Sequence, residues 1–442
     1  MKPPTEPAPA FANVRPRNLS FARENSDYNR EWFGQLRARV AAGEPLAYMN
    51  ADIAPTEIFK AMDIPVVVNQ WWGAVVSAKQ RSPDYLGRLQ AQGYRRGLCN
   101  YCSLGYAATL ETDPAQAPWG GLPTPTVVVT GDICNSGLKI FDLWAQRFGI
   151  PLFKLESAVI DRPDVSRWQE RHRRDWDAIL GARNVDLLAD QYRELIRFLE
   201  RATGRRFDAQ RLREIMAISN EQEEYYFKTR ELINHARPAP FNIADQMPAT
   251  MIPQWHRGNE WARDRARLFY EETRRKVEAG EGAVADERVR LMWIGTGLWY
   301  NLDFYQYFQQ QYGAVFVWSI YLSVAADAYP TYGDEDPLRT LAARLIKINN
   351  LLAVPPFNTQ WYLEQIRAAG IDGVVAMGRD DEADCQSSFG TQYLAHRAIE
   401  AAGVPLLELD VDNADARGWD DAAVRAQVSG FIENAILAKR PA

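Results

Sequence analysis

Short, unbroken apolar runs, each bounded by turn residues and followed by an amphipathic helical pattern, constrain this chain more than any other feature. IPVVVN (64–69), TVVVT (126–130), VRLMWI (289–294) and AVFVW (314–318) show little polar–apolar alternation. Strands of that kind are buried on both faces, as in a parallel sheet covered by helices on either side. The pattern predicts strands at Pro45–Met49, Ile64–Asn69, Thr126–Thr130 and Pro151–Leu155, and again at Val289–Ile294, Ala314–Trp318, Asp372–Met377 and Pro405–Asp410. Helical spacing predicts helices near 29–42, 55–62, 82–92, 135–148, 301–311, 338–349, 387–402 and 420–438. Between Ser166 and Gly280 strand-like runs nearly vanish and charged amphipathic patterns such as DLLADQYRELIRFLERATG take over, interrupted by the proline-containing RPAPFNIADQMPATMIPQWHRG. The expected architecture is α/β: an N-terminal arm and helix (1–44), a first α/β domain (45–165), a helical region (166–284) and a second α/β domain with a C-terminal helix (285–442).

The 442 residues exceed one ordinary core. A net charge of −6 without a long basic run argues against nucleic acid as a partner. Neither end carries an apolar run long enough for a signal or a membrane span, so a cytoplasmic protein that does not engage a membrane is expected. Four cysteines are too few for a disulfide scaffold and would stay as thiols in a reducing compartment, available for metal or redox chemistry. Fourteen tryptophans fit either aromatic-lined pockets or a large core.

Three of the four cysteines, Cys99, Cys102 and Cys134, lie between Gly93 and Gly149. Cys134 follows the TVVVT strand and precedes a helix; Cys385 repeats that setting after the strand ending at Met377. The carboxyl edge of an open parallel sheet is where ligands bind, so these two cysteines are expected to meet at a crevice between the halves. Helix N-termini also favour thiolates and anionic clusters. The alternative is that both are inert, buried, small hydrophobes.

Zinc is not expected, because Cys99-x-x-Cys102 has no second CxxC to pair with and His172, His235, His256 and His396 form no HxxxH pattern. A thioredoxin-like dithiol should open a helix after a strand, whereas this CxxC follows a helix and a basic turn. There is no GxxxxGK[ST] or GxSxG, and Gly295-Thr296-Gly297 reads as a tight turn. A cubane iron–sulfur cluster held from separate loops remains: three thiolates would leave one iron open, and four would close it.

At these residues the chain resembles the catalytic subunits of the 2-hydroxyacyl-CoA dehydratase and benzoyl-CoA reductase family. The likeness runs through NQWWGAVVSAKQ, YLGRLQAQGYRRGLC, TVVVTGDIC, DEDPLRTLAARL and IDGVVAMGRDDEADCQSSFGTQ. It implies two Rossmann-like parallel-sheet domains with a helical insert, and one 4Fe-4S cluster per chain held by Cys99, Cys134 and Cys385. Cys102 departs from that pattern, either as a packed neighbouring thiol or as the occupant of the fourth site. The resemblance further implies a heterodimer with a paralogous catalytic subunit, an acyl-CoA substrate, and a separate iron–sulfur activator that uses ATP. The reaction it implies is either dehydration of an (R)-2-hydroxyacyl-CoA through a ketyl radical or reduction of an aromatic acyl-CoA ring; a non-catalytic electron-relay subunit is a third reading. The run CQSSFGTQ, which contains Gln392, and the pairs Trp71-Trp72 and Trp299-Tyr300 as walls of a flat pocket favour the reductase. His256, in QWHRG, is the candidate proton donor.

Overall fold

The computed structural model describes residues 19–50, 55–94, 98–132, 134–156, 173, 175–333, 335–378 and 386–439, with 386–392 by backbone only. Two four-stranded parallel sheets form its frame. The first contains β1 (Ala47–Met49), β2 (Val66–Val68), β3 (Val127–Gly131) and β4 (Leu152–Leu155) in the order β2-β1-β3-β4. The second contains β5 (Val289–Ile294), β6 (Ala314–Trp318), β7 (Gly373–Gly378) and β8 (Leu406–Asp410) in the equivalent order β6-β5-β7-β8. Every predicted strand is present, with ends within two residues of expectation. The unbroken apolar runs are explained by burial: all five residues of β3 and of β6, and all six of β5 and of β7, are buried.

The helices, in chain order, are α1 (Ala22–Ala41), α2 (Thr56–Ala61), α3 (Asn69–Ala78), α4 (Ser82–Ala91), α5 (Asn100–Ala108), α6 (Asn135–Phe148), α7 (Trp176–Leu180), α8 (Ala182–Thr203), α9 (Ala209–His235), α10 (Ile243–Trp255), α11 (Glu260–Glu278), α12 (Asp303–Tyr312), α13 (Ile320–Asp327), α14 (Pro337–Ala353), α15 (Phe357–Ala369), α16 (Gln386–Ala401) and α17 (Asp421–Phe431). α6 shows how local sequence sets these bounds. The Cys134 side chain caps its first turn, Ile140, Phe141 and Trp144 bury one stripe against the sheet, and Gly149 closes it in the left-handed conformation (φ 62°).

Two expectations need correction. Cys99, outside regular structure, leads directly into helix α5, which the sequence pattern does not predict because all nine of its residues are buried and no amphipathic period marks it. The stretch expected to break the helical region is itself largely helical as α10, despite Pro248 and Pro253. Asn242 Oδ1 caps it by accepting the Ala244 N–H at 2.8 Å, and its buried Ile243, Ala244 and Met247 recover by packing what the prolines remove.

Side chains from both sheets enter the same buried cluster: Tyr48, Val67 and Val128 share it with Leu291, Trp293, Phe316 and Val375. Among the described residues no helix is long and apolar enough to cross a membrane.

Candidate functional site

Each sheet starts at an inner strand, moves one place to one side, then crosses back to the other side. The point of reversal lies between β1 and β3 in the first sheet and between β5 and β7 in the second. Strands on either side of such a point diverge into helices on opposite faces, which leaves a crevice at their carboxyl ends. Cys134 stands three residues beyond the end of β3. Cys385 has the equivalent place, between β7 and the first residue of α16, but lies outside the described residues, as does His172.

The thiols are brought together by two helix starts. Cys134 is the N-cap of α6, and its Sγ accepts the Gly137 N–H at 3.4 Å. Cys99 is the N-cap of α5, and its N–H donates to Ser136 Oγ, in the first turn of α6, at 3.1 Å. Cys102 sits in the first turn of α5, where its thiol shares hydrogen bonds with the thiols of both Cys134 and Cys99. All three are buried and none is in a disulfide. The hydrogen bonds with Cys134 and Cys99, reinforced by burial, push the Cys102 thiol well above the usual range.

Polar side chains at the ends of β1 and β2 complete the surroundings. Gln70, in the first turn of α3, donates from Nε2 to Cys102 Sγ at 3.6 Å and to Asn50 Oδ1. Asn69 Nδ2 donates to the Cys102 carbonyl at 3.0 Å. Two glycines make room for this packing. A Cβ on Gly137 would lie 2.6 Å from Asn50 Nδ2, and one on Gly105 would lie 1.9 Å from Asn69 Oδ1. These neighbours escape motif-based reading, yet a signal exists: Asn50 and the Asn69-Gln70 pair are the first polar residues after apolar runs, at the carboxyl ends of parallel strands.

The second half closes over α5 and α3. Asp412, past the end of β8, accepts Asn100 Nδ2 at 2.8 Å through Oδ2, while Oδ1 takes the N–H groups of Ala414 and Asp415. The Tyr300 hydroxyl donates to the Asp412 carbonyl at 2.8 Å, and Gln80 Nε2 to the Tyr300 carbonyl at 3.1 Å. Burial raises the Asp412 carboxyl, against the hydrogen bonds that lower it. The carboxyl edges of the two sheets therefore meet around the helix start that carries Cys99 and Cys102.

The remaining candidates lie elsewhere in the packing. Trp71 and Trp72, 1% and 0% exposed, form a tilted pair within a core of Trp32, Phe33, Trp119 and Trp255. Trp299 packs edge-on against Tyr321. Gln392 is on α16, outside the residues with described side chains. His256 is enclosed by Tyr28, Trp32 and Trp261, and its Nε2 pairs with Asn29 Oδ1 at 3.0 Å. Burial, with the nearby Lys60 charge, lowers its pKa to about 3, which keeps the imidazole neutral at physiological pH.

Beside His256 runs a second buried polar group. Glu57, on α2, pairs with Arg257 at 2.9 Å and Arg344 at 3.0 Å. Both guanidinium groups lie over the ring of Tyr329. Glu223 reaches Arg257 at 3.5 Å, and its pKa is raised to about 8 because burial outweighs that attraction. Lys60 donates to the carbonyls of His256 and Arg257, and burial lowers it to about 7.

Among the described residues no group of three or more His, Cys, Asp and Glu side chains could hold a metal ion. A polynuclear cluster asks for a different arrangement, because its thiolates bind separate iron atoms at its corners and do not converge on one centre. Cys99 and Cys134, buried and outside any disulfide, come from separate helix starts, as that demand requires.

Comparison with known proteins shows the family of the chain. The family model described as HGD-D, 2-hydroxyglutaryl-CoA dehydratase, D-component, matches residues 53–435. The chain belongs to this family. It is 23% identical to the (R)-2-hydroxyisocaproyl-CoA dehydratase alpha subunit of Clostridioides difficile, over 88% of this chain and 90% of that one. It is 22% identical to the (R)-phenyllactyl-CoA dehydratase alpha subunit of Clostridium sporogenes, over 88% and 89%. It is also 26% identical to a benzoyl-CoA reductase subunit of Thauera aromatica, over 80% of each chain. The family description names one component of a system with others, and the relatives are named as subunits.

Proposed function

We propose that this chain is the iron–sulfur subunit of an enzyme that dehydrates an (R)-2-hydroxyacyl-CoA. The observation that carries the reading is the meeting of Cys99, Cys102 and Cys134 at two helix starts on the switch-point edge of an HGD-D chain. Cys99 and Cys134 would hold a 4Fe-4S cluster together with Cys385, the residue at the equivalent place in the second half. When bound, that group supplies low-potential electron transfer and, at any iron left without a thiolate, a Lewis acid for a substrate oxygen.

The chain's own residues do the rest. The N-terminal N–H groups of α5 and α6 offset the negative charge of the thiolates. Gln70 and Asn69 fix the position of Cys102, and the Asp412–Asn100 bond holds the second half against the helix that carries it. The reaction is redox-neutral overall, since hydroxide leaves C2 and a proton leaves C3. It therefore needs an electron only as a catalyst, which a separate ATP-hydrolysing activator supplies and later rounds recover. A paralogous subunit completes the component, in a cytoplasmic complex.

Reduction of an aromatic acyl-CoA is the second reading, supported by the benzoyl-CoA reductase relative. Of the tryptophans that suggested a flat aromatic pocket, Trp71 and Trp72 give it no weight, because they are sealed in the core.

Anaerobic purification of the chain with its partner, followed by iron and sulfide analysis, should return about four of each per chain. With activator, ATP and reductant, an (R)-2-hydroxyacyl-CoA should lose water while benzoyl-CoA stays unchanged. Turnover of benzoyl-CoA alone would move the chain to the second reading. An iron-free protein would sink both.

A further inference from the structure

We propose that one face of α10, with the turn after β5 and the start of α13, is the wall that receives the acyl end of the substrate and sets which acyl groups fit. The inference rests on the acyl-CoA reading above and deepens it.

α10 crosses the carboxyl edges of both sheets. Near its start, Gln246 Nε2 donates to the Val317 carbonyl of β6 at 3.1 Å. Met247 there meets the turn after β5 so closely that a Cβ on Gly297 would lie 2.9 Å from its Sδ. At the other end of the helix, Trp255 packs edge-on against Trp71, ring centroids 5.7 Å apart, on α3, which follows β2 directly. Met247, Met251 and Trp255 recur every four residues and so form one stripe along the helix. Most of α10 is buried, but Met251 and Trp255 are only partly so. An apolar stripe left partly open at the carboxyl ends of parallel strands has the place and the character of a ligand wall.

Two polar groups stand at the head of the stripe. Trp299 packs edge-on against Tyr321, in the first turn of α13, at 5.5 Å, and the Gly297 N–H donates to the Tyr321 hydroxyl at 2.8 Å. Trp299 Cε2, bonded to Nε1, lies 3.5 Å from the place a Gly297 Cβ would take, the same place that Met247 approaches. Ser319 is the N-cap of α13, yet its hydroxyl bonds none of the helix N–H groups. Among the described residues neither Trp299 Nε1 nor Ser319 Oγ has a hydrogen-bond partner, although both residues are more than nine-tenths buried. A buried donor left unpaired is costly, and a ligand oxygen removes that cost.

These side chains select the chemistry of the occupant. None of them is charged, so the phosphates of CoA find no partner here. An apolar stripe headed by neutral donors matches a hydrocarbon chain that ends in a carbonyl, which is the acyl group with its thioester oxygen. The size of the side chain at Met251 then decides which acyl chains fit, and the Trp299 N–H holds the carbonyl oxygen.

The test reads binding, by equilibrium dialysis of the anaerobically purified complex against hexanoyl-CoA, free CoA and S-hexyl-CoA, the thioether that lacks the carbonyl. The wild type should bind hexanoyl-CoA at least about tenfold more tightly than CoA. Met251→Trp, which fills the stripe, should remove most of that advantage and leave the affinity for free CoA within about twofold of the wild type. Trp299→Phe, which keeps a ring and loses the N–H, should lose the preference for hexanoyl-CoA over S-hexyl-CoA, about fivefold in the wild type. Discrimination unchanged in either variant overturns the proposal, as does a wild type that binds hexanoyl-CoA no better than CoA. If Met251→Trp does not accumulate, Met251→Ala decides in its place: the preference should move from hexanoyl-CoA toward octanoyl-CoA, and an unmoved preference refutes the wall. Iron analysis of the same samples separates the two failures. A protein with about four irons and no acyl preference loses only this proposal, whereas an iron-free protein that keeps the preference loses the cluster reading and retains the wall.

Discussion

Glu57→Gln and Glu223→Gln remove carboxylates that face the same guanidinium group, yet the two should cost very different amounts. Glu57 is buried between Arg257 at 2.9 Å and Arg344 at 3.0 Å, so neutralising it strips both cations of the anion they share. Breaking a buried pair from one side costs about 3–5 kcal/mol. Glu223 is a different case, because its pKa of about 8 means that the folded protein holds it protonated at neutral pH. Gln is close in shape and charge to a protonated Glu, so Glu223→Gln should cost no more than about 1 kcal/mol, the size of one readjusted hydrogen bond.

The pH dependence tests the same reasoning more sharply. Glu223 is raised from an ordinary carboxylate value of 4.5 to about 8, so between those limits the folded state carries a proton that the unfolded state has lost. Stability from this group is therefore fully present below 4.5 and declines as pH rises toward 8, at no more than about 1.4 kcal/mol per pH unit. His256, lowered to about 3, and Lys60, lowered to about 7, act with the opposite sign over 3 to 6.5 and 7 to 10.5. Both are present in wild type and variant, so they cancel when the two are compared at matched pH. Denaturant midpoints of the full-length protein between pH 5 and 8, followed by tryptophan fluorescence, should show Glu223→Gln gaining on wild type as pH rises. A flat difference, or a Glu223→Gln cost equal to that of Glu57→Gln, would refute the assignment of a protonated Glu223.

Gly105→Ala forces a Cβ to within 1.9 Å of Asn69 Oδ1 and 2.8 Å of the Tyr48 hydroxyl, so it should reduce soluble yield and iron content together, measured against Gly87→Ala, where a Cβ meets nothing within 4 Å. Asp412→Ala removes the acceptor for Asn100 and for two backbone N–H groups, and amide exchange in the first turn of α5 should speed up by about 1–3 kcal/mol of lost protection, whereas Asp412→Asn keeps most of it once the Asn100 amide turns over. Asp327→Ala leaves Arg230 without the carboxylate it meets at 2.6 and 2.9 Å and strips Trp361 Nε1 of its 2.7 Å partner, which should lower stability by about 3–5 kcal/mol in the same denaturant assay.

The strands were legible because burial on both faces writes itself into consecutive residues: VRLMWI and AVFVW mark β5 and β6 without ambiguity. The same burial hid the helices that matter most. NYCSLGYAA and NQWWGAVVSA are buried nearly all round, so α5 and α3 carry no polar face from which a 3.6-residue period could be read. That Cys99, itself outside regular structure, leads straight into a helix was hidden by that silence. The contacts of Asp412, Tyr300 and Gln80 were illegible for another reason. Asn100 with Asp412, and Gln80 with Tyr300, are pairs more than 200 positions apart, and nothing in either local sequence specifies the partner.

The duplication of the fold accounts for part of the site and shows where the rest originates. Cys134 and Cys385 each follow the third strand of their half in sequence, so a β-α unit used twice carries one cysteine in each half. Cys99 and Cys102 have no such counterpart. They ride on the connection between β2 and β3, made of α3, α4 and α5, and the corresponding three-helix connection of the second half, through α13, α14 and α15, carries no cysteine. Repetition thus accounts for two of the cysteines, and a difference in sequence between two equivalent three-helix connections accounts for the other two. That connection also meets the second half, through Asp412 on Asn100 and Tyr300 on Gln80. The start of α5 is therefore tied directly to the second half, through Asn100.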